Sequence, residues 1–260
     1  MRAYERLQMA RAKGRPGALA CISSIFTDFY ELHGDRFFGE DAAIVGGLAR
    51  LSGRQVTVIG IEKGGSTDEK LLRNFGSAHP EGYRKALRLM KQAEKFRRPI
   101  VTLVDTSGAY CGIGAEERGQ GSAIAQNLME MMRLRVPVVA IVLGEGGSGG
   151  ALALAVADEV WMLENAVYSV ISAEGAASIL YKDASKAEKA AEDLKITAQD
   201  LSALGVVDRI VSEHGGDFSL CFSDLQTALH DRLSALCALS PEALLAARYA
   251  KFRKIGRPER

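Results

Sequence analysis

The chain has 260 residues, with 33 Lys and Arg against 32 Asp and Glu, and 47% of its residues are hydrophobic. This balance excludes intrinsic disorder, which requires low hydrophobicity and high net charge, and the length is sufficient to bury a large core. The 27 glycines exceed the number of about 18 that average usage predicts. Ten of them fall between Gly108 and Gly150, so the surplus is local.

The sequence predicts a cytoplasmic protein without a membrane span. Residues 136–157 are the most apolar stretch, but a glutamate and five glycines interrupt them, and a span needs about 20 apolar residues. The first 17 residues lack the apolar core of a secretory signal. No CxxC pair occurs among the four cysteines, so we expect reduced thiols, no disulfide and no metal site.

Charge is distributed unevenly along the chain. Residues 1–15 carry a net charge of +4 and residues 248–260 carry +5, which leaves −8 for residues 16–247. Basic ends can bind an anionic partner, but solvated and frayed termini are the simpler interpretation. An acidic body with few aromatic residues gives no support for binding to nucleic acid.

In chain order, hydrophobic periodicity predicts alternating strands and helices. The first half is predicted to contain a helix over 18–33, strands over 43–51 and 55–61, a loop over 63–79, a helix that begins at Pro80, and a buried strand over 99–105. The second half is predicted to contain a helix over 116–133, a buried strand over 136–143, a short helix over 148–157, strands over 159–163, 168–171 and 206–211, and helices over 174–181, 186–195, 198–204, 222–238 and 241–255.

This alternation indicates an α/β fold. No repeat and no Pro/Ser-rich linker divides the chain, so residues 1–260 are predicted to form one domain with helical ends. Tyr83, Leu87, Met90 and Ala93 form the apolar stripe of the helix that begins at Pro80. The basic side chains of that helix (Lys85, Arg88, Lys91 and Lys95) are expected to be solvated, with contact to a CoA phosphate as the alternative.

The glycine-rich segment 144–150, GEGGSGG, lies between a buried strand and a helix and fits two side-chain motifs. A dinucleotide fingerprint, G-x-G-x-x-G, is satisfied, but a helix over 148–157 is too short to return along the preceding strand. A nucleophile elbow around Ser148 would need a histidine from later in the chain. His214 and His230 are the candidates, and both lie in polar or amphipathic segments.

A third interpretation of this segment is an oxyanion hole made of backbone N–H groups. The N–H groups of the first helical turn have no partner within the helix, and glycine lets a substrate oxygen approach them closely. A tight turn without a ligand is the alternative. Five glycines in seven residues favour the oxyanion hole.

A second glycine loop, DTSGAYCG over 105–112, also follows a buried strand, so the two loops could form the walls of one pocket. Tyr110 fits either a pocket wall or ordinary packing. Cys111 is expected to be inert, because no histidine lies near it in sequence.

Long blocks of the chain carry a resemblance to a known family. These blocks are IFTDFYELHGDR (25–36), AIVGGLARLSGR (43–54), RNFGSAHPEGYRKALRLMKQAEKF (73–96), DTSGAYCGIGAEERGQ (105–120), RVPVVAIVLGEGGSGGALALAVAD (135–158) and ENAVYSVISAEGAASILYKDASKA (164–187). Through them the chain resembles the α subunits of the carboxyltransferase component of bacterial acetyl-CoA carboxylase.

The resemblance implies a crotonase-like (ClpP/crotonase) α/β fold, a spiral of ββα units with flanking helices. It implies transfer of a carboxyl group from carboxybiotin to acetyl-CoA, giving malonyl-CoA in the first committed step of fatty acid biosynthesis. It places a catalytic oxyanion hole for the biotin ureido oxygen on Gly149 and Gly150. The substrate-binding residues that it implies are Gly108, Ala109, Tyr110, Gly146, Gly147 and Ser148.

The resemblance also implies partners. It predicts an α2β2 assembly in which the carboxyltransferase β subunit supplies a zinc ribbon and most CoA contacts. Biotin carboxyl carrier protein and biotin carboxylase would complete the enzyme, and neither nucleic acid nor a membrane is expected. A self-contained crotonase-like hydratase, thioesterase or decarboxylase is the leading alternative, and a scaffold without activity is the third.

The chain departs from the family pattern at several positions. Ser107, Cys111 and Ala173 replace family prolines, which predicts a less rigid rim around the glycine loops. Asp217 and Phe218 stand where the family has a His-Arg pair, so any role of that pair is in doubt.

Overall fold

A computed structural model describes residues 1–256, and residues 257–260 of the predicted domain and of the basic C-terminal end lie outside it. Within this range eight strands form one mixed sheet: β1 (Thr27–Glu31), β2 (Ile44–Leu51), β3 (Arg54–Ile61), β4 (Ile100–Thr106), β5 (Val138–Gly147), β6 (Glu159–Leu163), β7 (Val167–Ser169) and β8 (Arg209–Val211). The same range contains twelve α-helices: α1 (Ala3–Ala10), α2 (Ala18–Ile25), α3 (Thr67–Leu72), α4 (Pro80–Lys95), α5 (Ile113–Glu117), α6 (Gln120–Arg133), α7 (Ser148–Leu152), α8 (Ala173–Tyr181), α9 (Ala187–Asp193), α10 (Ala198–Ala203), α11 (Phe218–Cys237) and α12 (Pro241–Lys254). The predicted α/β class is confirmed.

The strands lie in the order β1-β2-β3-β4-β5-β6-β8, and β7 pairs with the end of β5. β1, β2 and β3 are antiparallel, whereas β3, β4, β5, β6 and β8 are parallel. The β2–β3 turn is formed by Ser52 and Gly53, both with positive φ, as a tight hairpin requires. The carboxyl ends of β3, β4 and β5 therefore meet at one edge of the sheet.

The core surrounds the central strands. Every residue of β4 is buried, and so is every residue of β5 except Gly147, as expected for parallel strands covered on both faces. α4 packs against β2 and β3 with its predicted apolar stripe buried, including Tyr83 and Met90. This packing brings the first turns of α4 close to the carboxyl ends of the strands.

Several predicted boundaries are wrong because tertiary contacts or caps override local periodicity. The helix predicted over 18–33 ends at Ile25, since the following residues pair with β2 as an edge strand. The loop predicted over 63–79 contains α3, whose Ser66 and Glu69 form a capping box. The helix predicted over 116–133 divides at Gly119, which has a φ of 81°. β5 extends through Gly147 because β7 pairs with it there, and α7 is correspondingly short.

The interpretation of the basic ends as frayed and solvated is wrong for Arg15 and Arg248, whereas Lys13, Arg253 and Lys254 are exposed. The Arg15 side chain is 6% exposed and lies 2.6 Å from Glu213, and Arg248 is 1% exposed. The solvated role predicted for Lys85 is also wrong, because its buried ammonium group contacts Glu40 and the carbonyl of Ile44. Burial of these cations is tolerated because each has carboxylate and carbonyl partners.

No helix within residues 1–256 is long and apolar enough to cross a membrane.

Candidate active site at two glycine loops

The two glycine loops lie side by side, as the sequence predicts, because β4 and β5 are parallel neighbours. Between them the register shifts, so that Val104 pairs with Val142 but Thr106 pairs with Gly146. Asp105 lies opposite this bulge, and its Oδ1 accepts a hydrogen bond of 2.8 Å from the N–H of Glu145. The bulge thus ends regular pairing where the predicted site begins, which is a common location for bulges.

Backbone contacts between the loops explain why glycine is required at two positions. A β-carbon on Gly147 would lie 2.1 Å from the carbonyl oxygen of Ser107, and one on Gly150 would lie 2.5 Å from the amide nitrogen of Ala109. Real side chains do not approach backbone so closely, so any substitution would push the loops apart. The structure therefore brings Gly147 and Gly150 against the first loop at Gly108 and Ala109.

Backbone N–H groups on both sides of this contact have no hydrogen-bond acceptor among residues 1–256. They include the N–H group of Ala109 in the first loop and those of Gly149 and Gly150 in the first turn of α7. The N–H groups on either side of Ala109 are paired: that of Gly108 donates to Thr106 Oγ1 at 3.0 Å, and that of Tyr110 donates to the carbonyl of Ala78 at 3.1 Å. Unpaired N–H groups are normal in the first turn of a helix. Because the residues that carry them here are mostly glycines at a partly exposed position, this group of donors is the strongest chemical feature of the loops.

The remaining predicted residues occupy different surroundings. Ser148 is exposed and has a φ of 52°, an uncommon conformation for a residue with a β-carbon. Gly149 is half-buried, and a β-carbon there would make only an ordinary contact of 3.5 Å with Ile124. Packing therefore does not dictate glycine at position 149.

Gly146 and Tyr110 make contacts with aromatic rings. A β-carbon on Gly146 would lie 2.8 Å from the ring of Tyr168. The ring of Tyr110 stacks on His79 with a centroid distance of 4.1 Å, yet the residue remains 39% exposed. Tyr110 thus both packs and presents a surface, so its substrate-binding role stays a prediction.

A charged network joins the carboxyl ends of β3, β4 and β5. Lys63 Nζ lies 2.8 Å from Asp105 Oδ1 and 2.7 Å from Glu145 Oε2. Arg11 approaches the other oxygen of Glu145 at 2.7 Å and also pairs with Glu174 on α8. The network therefore ties the residue after α1 to the strand that carries the second glycine loop.

Opposing influences set the ionisation of this network. Burial lowers the pKa of Lys63, but Asp105 and Glu145 together raise it above its ordinary value. Burial raises the pKa of Glu145, but Lys63 and Arg11 hold it below its ordinary value. Lys63 and Glu145 are accordingly charged at neutral pH, and their mutual attraction offsets the cost of desolvation.

A cavity of about 320 Å³ opens beside this network, and its lining includes Lys63, Ser107, Asp105 and Glu145. Neither Gly149 nor Gly150 lines it. Within residues 1–256, no group of three or more His, Cys, Asp or Glu side chains is arranged to hold a metal ion.

Comparison with known proteins places these features in a family. The model of the family described as acetyl co-enzyme A carboxylase carboxyltransferase-like matches residues 1–256. The chain belongs to this family. The carboxyl transferase α subunit of acetyl-coenzyme A carboxylase from Ruminiclostridium cellulolyticum is 58% identical over 256 residues, which are 98% of each chain. The α subunit from Clostridium acetobutylicum is 56% identical, over 98% of this chain and 94% of that one.

These relatives confirm the resemblance found in the sequence and the function class that it implies, a carboxyl transferase α subunit. The self-contained hydratase, thioesterase or decarboxylase is not favoured. Two structural findings also disfavour the side-chain motifs. Among residues 1–256 Ser148 makes no hydrogen bond to His214, which pairs with Asp224 instead, and α7 has only five residues.

Solved structures share the fold of this family member. Transcarboxylase 12S superposes with a TM-score of 0.69 at 22% identity, over 86% of this chain but only 44% of that chain. The malonate decarboxylase MdcD–MdcE heterodimer from Pseudomonas gives a TM-score of 0.66 at 17% identity, over 81% of this chain and 88% of that chain. The predicted crotonase-like fold is confirmed.

Sequence reasoning missed several residues that adjoin the two loops: Arg11, Lys63, Tyr83, Asp105 and Glu145. A charged residue directly after or inside a buried apolar strand is a usable signal for three of them, namely Lys63, Asp105 and Glu145. Arg11 had no local signal, because its partner Glu145 lies 134 residues away. Tyr83 was assigned to the apolar stripe, and its hydroxyl was left out of account.

Proposed function

We propose that this α subunit holds the ureido oxygen of carboxybiotin while the carboxyl group passes to acetyl-CoA to form malonyl-CoA. The unpaired N–H groups of Gly149 and Gly150 carry this proposal. Two adjacent donors without protein acceptors, on a backbone with no side chain to obstruct approach, fit an oxygen that gains negative charge. Ala109 supplies a further unpaired donor from the first loop.

The site also fits a ligand on steric grounds. The glycines let backbone atoms of the two loops approach each other, which keeps the donors of both loops within one small region. Carboxybiotin, when bound, supplies the carboxyl group to be transferred. The protein contributes fixed N–H dipoles that need no reorganisation as charge develops, which is a large term in many enzymes.

The proposed substrate-binding residues surround this pair. Gly108 and Ala109 form the facing wall, and Tyr110 offers a partly exposed ring at its rim. Gly146 and Gly147 allow close packing of β5 against its neighbours, and Ser148 occupies the exposed tip. These assignments rest on position and exposure, together with the family resemblance.

The proposal includes a partner that completes the site. Ser107 and Ser148 are exposed and Gly149 is half-buried, so the donors lie at an open surface of this chain. We assign the missing wall to a carboxyltransferase β subunit in an α2β2 assembly, with most CoA contacts and a zinc ribbon on β. Biotin carboxyl carrier protein and biotin carboxylase would act with this assembly in the cytoplasm, a setting that the four free cysteines fit.

The test is a malonyl-CoA:biocytin transcarboxylation assay of the purified chain with and without the β subunit. We expect activity only when this chain and the β subunit are mixed. Activity from this chain alone would contradict the partner dependence, and an inactive mixture would contradict the function.

Two glycine variants test the site within the assembled complex. Gly150→Val should abolish activity and also weaken the fold, because its side chain meets the backbone of Ala109. Gly149→Ala is the sharper variant, since its β-carbon makes only ordinary contacts. It should preserve thermal stability and lower kcat by about tenfold or more, on the order that misplacing a reacting group costs.

Gly121→Ala is the matched control. Gly121 lies in α6, and a β-carbon there meets nothing within 4 Å. This control should keep full activity. If Gly149→Ala also keeps full activity, Gly149 does not belong to the catalytic pair.

A further inference from the structure

The turn between α3 and α4 holds three consecutive residues in the left-handed conformation. Asn74, Phe75 and Gly76 have φ values of 46°, 54° and 77°. Glycine adopts this region freely, but a residue as bulky as phenylalanine seldom does. A β-carbon on Gly76 would lie 2.7 Å from Lys63 Cγ and 2.9 Å from the carbonyl oxygen of Asp105. The chain at the carboxyl ends of β3 and β4 therefore packs against the turn and holds it in this strained shape.

The strained position of Phe75 contributes little to the core. The residue is 52% exposed, and within residues 1–256 it is not among those that pack against the hydrophobic core. Instead it lines the cavity of about 320 Å³ that Ser107 of the first glycine loop also lines. An aromatic ring held by strained backbone at the wall of a cavity is typical of a ligand site, not of core packing.

The same cavity presents cations without acidic partners. Lys13 and Lys70 line it, and neither forms an ion pair within residues 1–256. The two arginines of the lining are paired with carboxylates. The three acidic side chains of the lining are also engaged, two by Lys63 and one by backbone N–H groups. The unpaired charge at this cavity is therefore positive, which suits an anionic group.

We propose that this cavity binds a flat heterocyclic ring that carries an anionic group, with the ring against Phe75 and the anion near Lys13 and Lys70. Flat rings stack on aromatic side chains, and lysines bind carboxylates and phosphates through their charge. The choice of sources rests on the proposed function, because both substrates of that reaction contain such a part. One is the carboxylated ureido ring of carboxybiotin, and the other is the phosphorylated adenosine of CoA.

The experiment is isothermal titration of the purified full chain with biocytin and, separately, with adenosine monophosphate. Every residue that lines the cavity belongs to this chain, so binding does not require the β subunit. We expect at least one probe to bind with a Kd of about 1 mM or tighter, and the probe that binds identifies the source. Phe75→Ala should weaken that binding about tenfold, within the range lost when a stacking ring is removed.

Lys70→Met tests the anionic part of the ligand. It should weaken the binding of adenosine monophosphate and make that binding less sensitive to salt. The ring of biocytin gains its carboxylate only during the reaction. If biocytin is the probe that binds, Lys70→Met should therefore lower kcat/KM for biocytin in the complex with the β subunit instead.

Phe96→Ala is the matched control for the ring. Phe96 is 58% exposed at the end of α4, has an ordinary φ of −99° and does not line the cavity. This control should leave the binding of both probes unchanged. Phe75→Gly separates binding from folding, because glycine relieves the strain at this position. Its thermal midpoint should stay equal or rise while its binding is lost.

Two results would overturn the proposal. If neither probe binds, the cavity is not a site for a flat ring with an anionic group. If Phe75→Ala and Phe96→Ala change the affinity equally, the ring of Phe75 has no part in binding. Both results come from titration of this chain without transcarboxylation. They are therefore distinct from failure of the proposed function, in which the complex with the β subunit is inactive.

Discussion

The two ends of β5 are both held by buried charges, but they differ in how completely those charges are paired. At the amino end, Asp158 accepts a hydrogen bond of 2.7 Å from the N–H of Val138 and faces Arg248 of α12. The guanidinium of Arg248 donates to both oxygens of Asp158 and to the carbonyls of Met131, Leu134 and Val136. These five bonds use every donor that an arginine has.

The carboxyl end of the same strand is less complete. Lys63 has two protein partners for three donors, and its side chain is 20% exposed beside a cavity. Unpaired N–H groups, an unpaired hydroxyl and the positive φ of Ser148 all occur within this region. The buried charges at the amino end of β5 thus have all their hydrogen-bond partners, whereas polar groups at the carboxyl end lack some of theirs. Function is expected at the end where the fold leaves polar groups without partners.

The largest effect is expected from breaking the satisfied end. Arg248→Met should lower the free energy of unfolding by about 3–5 kcal/mol, because it leaves Asp158 buried without its counter-charge. The specific activity of the folded complex should remain within about twofold of the original, since Arg248 lies at the opposite end of β5 from the glycine loops. Urea unfolding and transcarboxylation measure the two quantities. An unchanged free energy of unfolding, or a loss of kcat as large as the loss of stability, would contradict the proposed difference between the two ends of β5.

Breaking the other end should affect activity more than stability. Lys63→Met removes the cation between Asp105 and Glu145, so their carboxylates repel and the two loops shift. We expect kcat to fall about tenfold or more, as small misplacements of reacting groups do, and Lys63→Arg should restore most of it. Faster amide hydrogen exchange in residues 105–112 and 144–151 would report the shift directly. Unchanged exchange and unchanged kcat would show that the network does not position the loops.

Acidification should weaken both the Glu145 network and the Arg15–Glu213 pair. Burial raises the pKa of Glu213, but Arg15 and Asn165 hold it below its ordinary value of 4.5. A carboxyl with a lowered folded pKa stabilises the protein above its unfolded pKa, and this stabilisation is lost as pH falls through the folded value. The free energy of unfolding should therefore be lower at about pH 3 than at about pH 7. Glu213→Gln should reduce the difference, and an unchanged difference would contradict the assignment.

The smallest effect concerns the rim. Ala173 is the first residue of α8, and Ser172 before it has a φ of −63° and a ψ of 152°, a conformation compatible with a following proline. Ala173→Pro should stabilise the protein by about 0.4–1 kcal/mol through the unfolded chain, with no change in kcat. A lower thermal midpoint would show that the buried site has no room for the ring.

The sequence was most informative where local pattern and burial coincide. The apolar runs over 99–105 and 136–143 predicted two buried neighbouring strands, and the glycine loops after them predicted the walls of one pocket. The antiparallel pairing of β1 could not be predicted, because residues 27–31 resemble a continued helix until β2 is present to pair with them. The Asp105 bulge and the Lys63 contacts likewise depend on residues about 40 to 80 positions apart.

The hydroxyl of Tyr83 shows a different limit. Hydrophobic periodicity places its ring in the core correctly but carries no information on whether its Oη finds a partner. That depends on Gly150 of α7 and Ala109 of the loop after β4, which approach Tyr83 from distant parts of the chain.

The position of Arg248 also constrains the order in which the protein can mature during synthesis. Every strand within residues 1–256 precedes residue 212, whereas Arg248 lies in the middle of α12, the last of the described helices. While the chain emerges from the ribosome, Asp158 is exposed without its cation until α12 has left the exit tunnel. The charge pair at the amino end of β5 therefore forms late, after the glycine loops have been synthesised. A nascent chain that stalls before α12 would lack this pair and would not be ready to assemble with its partner.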